Sequence, residues 1–134
     1  MRLWHYRLIP VLPNKMLVSQ WRECIAIKRQ WEKGTLKHRL VSYVMDYDKS
    51  YFSFYTHCIK QEMYKRNIKY QQKYIKEISD FSNGGYSMGH YKEHNDRYLK
   101  QCYYNLQEKY DRGIITQEEW EKIENEFNKK IFKE

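Results

Sequence analysis

Glu23 is the only acid among the first 31 residues, and it falls within the stretch Asn14 to Trp31, NKMLVSQWRECIAIKRQW. Lys15, Arg22 and Arg29 recur every seven residues beside it. On a helix that spacing drifts by only about 20° per step and forms a basic ridge. Ser19, Gln20 and Ala26, the neighbours of Glu23 at helical spacing, are small or polar, so a bulky ligand can approach it. A lone carboxylate on a rigid helix in a basic setting is a candidate general acid/base. The plainer alternative is an ion pair with a nearby Arg or Lys and no further role.

A second group of interest is the head of the chain. A terminal amine has a pKa of roughly 7.7–8.0, so unlike a lysine it is neutral to a useful extent at physiological pH. A neutral amine attacks a sugar C1′ or an aldehyde and forms a Schiff base. A carboxylate beside it stabilises the cation and moves protons. Other chemistries lack their signatures: there is no P-loop, dinucleotide fingerprint, zinc motif or nucleophile elbow. The pair Gly84 and Gly85 is too little for a phosphate cradle, and no second acid lies near Glu23 for a paired-carboxylate mechanism. No metal and no cofactor are expected.

These groups need elements to position them. Leu17, Trp21, Cys24 and Trp31 share a face, Asn14 is a good N-cap and Gly34 a C-cap, so residues 14–31 form a helix. Pro10 and Pro13 keep Met1 to Pro13 from being helical. That segment is read as an extended lead-in, crossing the core by Leu3, Tyr6, Leu8 and Val11. Trp4, His5 and Arg7 are left to face a ligand. Residues 35–47 are short and of uncertain type. Asp48 caps a helix of about 19 residues ending near Asn67, with Phe52, Tyr55, Ile59 and Met63 as its stripe. Another helix covers Tyr70 to Ile78. Residues 79–90, SDFSNGGYSMGH, are the one clear loop. A helix from about Asn95 to Asp111 buries Leu99, Cys102, Leu106 and Tyr110. Thr116 with Glu119 is a capping box, and it starts a last helix with the stripe Trp120, Ile123, Phe127 and Ile131. Scarce glycine and proline, five and two, disfavour a β-sandwich. The expected fold is all-α: a single helical domain over 1–134, with a basic face at 1–45 and a helical scaffold at 46–134.

Charge is unevenly placed. Residues 1–45 hold nine Lys/Arg against two acids, whereas 46–134 hold 16 against 15. A basic field confined to one third of the chain points to a polyanion, most often nucleic acid. The basic residues sit among Trp, His and Tyr without a long apolar face, which argues against a membrane partner. Residues 110–134 carry five Lys/Arg and seven acids, so that end is read as structural and remote from phosphates. Cys24, Cys58 and Cys102 lie far apart on apolar positions, as buried reduced thiols do. No apolar run crosses a bilayer and no signal peptide is visible, so a cytoplasmic location is expected. His5 and His38 lie among basic residues, either as ligand contacts or as neutral surface rings. His57 reads as packing, while His90 and His94 flank the loop and either line a cleft or are solvated.

The run from Trp4 to Cys24, WHYRLIPVLPNKMLVSQWREC, resembles the start of the pyrimidine-dimer DNA glycosylase/AP-lyases of the endonuclease V type. The Leu8 to Leu12 segment, the triplet Trp21, Arg22, Glu23 and its distance from the chain start carry that resemblance. His38, the helix with Lys65 and Arg66, and Glu93 to Cys102, EHNDRYLKQC, look like its bacterial branch. The resemblance implies a single compact α domain that excises one base of an ultraviolet-induced dimer and nicks the strand by β-elimination. It implies a kinked duplex with an extruded base and no metal. It assigns the carboxylate role to Glu23, phosphate contact to Arg22, and the nucleophilic amine to the chain head. Family members known best carry a small second residue and lose Met1. Here the second residue is Arg2, so the amine belongs to Met1, or to Arg2 if Met1 is removed. Met16 and Ala26 stand where those members have His and Arg, and NEFNKKIFKE lacks their aromatic tail.

The leading expectation is therefore a glycosylase/AP-lyase acting as a monomer on damaged double-stranded DNA. Arg2, His5, Arg7, Lys15, Arg22, Lys37, His38 and Arg39 are the candidate DNA contacts. Two alternatives stay open: a non-catalytic nucleic-acid-binding module on the same fold, and an enzyme acting on a small nucleotide or glycoside through Glu23.

Overall fold

Five α-helices and two 3-10 turns make up the described part of the chain, residues 1–131, in the computed structural model. Their order is a 3-10 turn Tyr6–Val11, α1 Asn14–Glu32, a 3-10 turn Ser42–Asp46, α2 Lys49–Lys65, α3 Gln72–Phe81, α4 Asp96–Asp111 and α5 Gln117–Ile131. No strand occurs among the described residues, so the all-α class expected from the sequence is the one observed.

Local signals fix most of the boundaries. Asp48 Oδ1 accepts from the Ser50 amide at 2.9 Å and starts α2. Asn95 does the same for α4 through the Tyr98 amide. Thr116 Oγ1 accepts from the Glu119 amide while Glu119 Oε1 accepts from the Thr116 amide, the reciprocal pair expected at the head of α5. Gly34 ends α1 with φ of +71°, and its amide and that of Thr35 return to the Trp31 and Gln30 carbonyls.

Three expectations are corrected. Asn14 is not a cap: Pro13 holds that position, and Asn14 Oδ1 accepts from Arg66 Nη1 at 3.0 Å instead. The third helix starts later and runs further, to Phe81, because Phe81 packs edge-on against Trp31 with ring centroids 5.0 Å apart. The lead-in is not extended throughout. Residues 6–11 wind into a 3-10 turn with Pro10 inside it. Two prolines forbid a longer α-helix, but proline's fixed φ suits a short 3-10 turn.

The core is continuous across these elements and includes Leu17, Trp21 and Cys24 of α1, Phe52, Tyr55 and Ile59 of α2, Leu99 and Leu106 of α4, and Ile123 and Phe127 of α5. The side chain of Ile131, the last member of the predicted stripe, lies outside the described residues. The lead-in runs through this core, with its 3-10 turn in contact with both α2 and α5. Leu3, Leu8 and Leu12 are essentially fully buried. Burying three leucines contributes roughly 1.5–3 kcal/mol each, which offsets the entropy of ordering a chain end. All three cysteines are free; Cys24 and Cys102 are buried as expected and Cys58 half-buried. None of the helices is long and apolar enough to cross a membrane among the described residues.

Candidate active site

Side chains from three helices hold residues 2–4 by their backbone. Gln20 of α1 is fully buried. Its Nε2 donates to the Arg2 carbonyl at 2.9 Å, and its Oε1 accepts from the Trp4 amide at 2.7 Å. Tyr55 of α2 donates its hydroxyl proton to the Trp4 carbonyl at 2.6 Å and also lies 3.1 Å from Gln20 Oε1. Tyr98 of α4 donates to the Leu3 carbonyl at 2.5 Å. Further along, Arg66 donates to the Ile9, Pro10 and Leu12 carbonyls while its Nε is paired with Glu62. A lead-in with few regular hydrogen bonds of its own thus has its polar groups satisfied by long side chains.

Glu23 stands at the open end of this arrangement. Gln20 Nε2 donates to Glu23 Oε2 at 3.1 Å, so one amide spans the carboxylate and the chain head. Glu23 is half-buried, and burial pushes its carboxyl above the ordinary value. The terminal amine, His38 and Lys109 pull in the opposite direction, the amine most strongly. The carboxylate therefore lies in the field of the chain head, His38 and Lys109. The plain Arg or Lys ion pair that residue type alone allows is not formed among the described residues.

The basic candidates divide. Arg22, Lys37, His38 and Arg39 are exposed. Arg22 borders a groove of about 420 Å³ between α1 and the link from α2 to α3, together with Trp21, Lys69, Tyr70 and Tyr74. Lys15 is exposed but its Nζ is bonded to the Ile114 carbonyl. Arg29, the third member of the ridge, forms a two-pronged pair with Glu77 at 2.9 and 3.0 Å, so the ridge is broken there. Arg7 reaches Asp96 at 3.5 Å and is only partly free. Met1 is exposed.

Arg2, His5 and Trp4 depart from expectation. The Arg2 guanidinium folds back over the Trp4 ring, 5.7 Å from its centroid, and the residue is half-buried. It is thereby drawn partly back from the surface. His5 is 1 % exposed, takes the Arg7 amide proton on Nδ1, and stacks against Tyr6 and His94. Trp4 is buried too. The tight turn after residue 5 draws both rings beneath the surface, which removes them from direct contact with a ligand. His94 is likewise buried, hydrogen-bonded to Tyr43 at 2.7 Å, while His90 lies flat on Tyr6 with centroids 3.5 Å apart.

Sequence reasoning missed the residues that hold the site together. Gln20 was visible only as a polar neighbour of Glu23. Tyr55 and Tyr98 carry no mark separating them from the other tyrosines, and Arg66 lies 52 or more residues from every group of the lead-in that it holds. Lys109 lies at the end of α4, just before the stretch read as acidic scaffold, yet it is close enough to act on Glu23. No group of three or more His, Cys, Asp or Glu is placed to hold a metal among the described residues.

The family model described as pyrimidine dimer DNA glycosylase matches residues 1–76, more than half of the chain. That span contains Glu23, Gln20, Tyr55 and Arg66. No curated protein and no solved structure matches the chain.

Proposed function

The chain belongs to the pyrimidine dimer DNA glycosylase family, and from that premise we propose that it excises damaged pyrimidines from duplex DNA with its terminal amine as nucleophile and Glu23 as proton carrier. The observation that carries this reading is the Gln20 amide nitrogen, bonded at once to the Arg2 carbonyl at 2.9 Å and to Oε2 of the half-buried Glu23 at 3.1 Å, which ties the carboxylate to the chain head.

The chemistry follows from those two groups. The neutral amine attacks C1′; the N–C1′ bond forms, the glycosidic bond breaks, and its electron pair leaves with the pyrimidine, which takes up a proton. Glu23 accepts a proton from the nitrogen and delivers one to O4′ as the sugar ring opens, leaving an iminium at C1′. Loss of a C2′ proton then expels the 3′ phosphate, which breaks the strand. Water hydrolyses the remaining imine and frees the amine. A carboxyl raised above its ordinary value by burial holds a proton more readily than a solvated one, which suits it to this traffic.

DNA is held by the exposed cations. Arg22, Lys37, His38 and Arg39 supply phosphate contacts, with Lys15 and Lys109 at the edge of the site. His5 serves the interior.

The test is strand nicking and base release on ultraviolet-irradiated duplex DNA by the wild type and by Glu23→Gln. The reading expects activity in the wild type and a loss of roughly 10²–10⁴-fold in the variant, with DNA affinity retained. Unchanged turnover in the variant removes Glu23 from the mechanism. DNA binding without base release in the wild type leaves a binding module.

A further inference from the structure

Gln20 engages both of its amide hydrogens and its carbonyl oxygen in one place. A carboxamide has two acceptor lone pairs and two donor hydrogens. Here Oε1 accepts from the Trp4 amide at 2.7 Å, with the Tyr55 oxygen 3.1 Å away, and Nε2 donates to the Arg2 carbonyl and Glu23 Oε2, at 2.9 and 3.1 Å. The orientation has no workable alternative. A flipped amide sets its NH2 against the Trp4 N–H and its oxygen against the Arg2 carbonyl and the Glu23 carboxylate. The side chain is fully buried, so water does not relieve such a mismatch.

We propose that Gln20 is a positioning residue that fixes the spacing between the chain head and Glu23 and leaves Glu23 Oε1 as the oxygen that meets the substrate. The proposal rests on the glycosylase reading for its consequence in catalysis. Its geometry stands on those three hydrogen bonds alone. Among the described residues Gln20 makes the one hydrogen bond to the Glu23 carboxylate, and it goes to Oε2. Oε1 remains for proton transfer. Because the same nitrogen holds the Arg2 carbonyl, the chain head and the carboxylate move as one unit with α1. Misplacement by about 1 Å in such a pair costs on the order of 10²-fold in rate.

The charges facing Glu23 come from each neighbouring element: the terminal amine from the lead-in, His38 from the link after α1, and Lys109 from α4. Gln20 is the neutral member of this set. Replacing it with Glu brings a second carboxylate to the position now held by Nε2, 3.1 Å from Glu23 Oε2. Two carboxylates at that distance do not both ionise easily.

The experiment uses the full chain in three forms, wild type, Gln20→Glu and Gln20→Met, with folding checked by circular dichroism. Two quantities are read: the Glu23 carboxyl titration by carbon NMR, and the pH profile of borohydride trapping on abasic-site duplex DNA. In Gln20→Glu the Glu23 midpoint rises by about one unit or more. Trapping at neutral pH falls roughly 10–100-fold in both variants while DNA affinity stays within about threefold. A folded variant with the wild-type midpoint and the wild-type trapping profile overturns the proposal. Should neither variant fold, Tyr55→Phe is the second probe, since it leaves the Gln20 hydrogen bonds in place and removes the hydroxyl that holds the Trp4 carbonyl beside the Gln20 oxygen. Trapping then falls several-fold at unchanged affinity, and an unchanged rate overturns the proposal. If the wild type itself forms no adduct, the glycosylase reading fails, whereas the carboxyl titration still decides whether Gln20 governs Glu23.

Discussion

The Tyr98 hydroxyl donates to the Leu3 carbonyl at 2.5 Å, so α4 grips the chain three residues from its start. The contact joins positions 95 apart in sequence and, with Gln20 and Tyr55, turns a terminus that would ordinarily fray into a fixed element. Tyr98→Phe removes the donor and leaves a buried carbonyl unpaired. We expect a loss of about 1–3 kcal/mol in urea unfolding, with the number of helical residues unchanged by circular dichroism.

Arg66 fastens the other end of the lead-in. Its guanidinium is bonded to three carbonyls, to Asn14 and to Glu62. Arg66→Met deprives all of them at once and leaves Glu62, whose side chain is only 12 % exposed, without its cation. Denaturant titration should show a destabilisation of about 3–5 kcal/mol. A change below about 1 kcal/mol would mean that the lead-in is held by its leucines alone.

Arg22 and Arg29 are one ridge in sequence but two situations in the structure. Arg22 is exposed beside the groove, whereas Arg29 is committed to Glu77. Arg22→Gln should weaken binding to duplex DNA and reduce the slope of log affinity against log salt by about one. Arg29→Gln should leave that slope within error and lower stability instead. Fluorescence anisotropy over a range of salt concentrations distinguishes the two.

Acid should weaken the fold in two stages. Burial holds the His5 ring down at about 4 and the His94 ring at about 3. In the unfolded chain both take up protons near pH 6.5. The unfolded state therefore binds more protons below that point, and stability falls as pH drops from about 6.5 toward those values. Glu77 acts lower. The Arg29 guanidinium, helped by Lys28, holds its carboxyl at about 2 against an unfolded value of 4.5. Its contribution is fully present above about 4.5 and is lost as pH falls toward 2. Urea midpoints measured from pH 7.5 to 3 should decline below about 6.5, and His94→Gln should make the first stage shallower.

The helices were legible because their signals are local. Asp48, Asn95 and the Thr116–Glu119 pair cap helices within three residues of themselves, and the apolar stripes of α1, α2 and α4 face the core as their spacing requires. Glu23 was legible as the one acid among the first 31 residues. The lead-in was not, since two prolines exclude a long α-helix without choosing between an extended strand and a 3-10 turn. Choosing the turn buries Trp4 and His5, so one local ambiguity decided the fate of two candidate contacts. The hold on the chain head was hidden for another reason: Gln20, Tyr55, Tyr98 and Arg66 act across 16 to 95 residues, and no spacing rule reaches that far.

The central claim is that the chain head does the chemistry beside Glu23. Borohydride reduction of the protein mixed with abasic-site duplex DNA, followed by proteolysis and mass spectrometry, tests it most directly. The account predicts one covalent adduct on the terminal amine, with the same spectrum showing whether Met1 or Arg2 bears it, and loss of that adduct in Glu23→Gln. An adduct on a lysine side chain, or none under conditions where the DNA is bound, would contradict it.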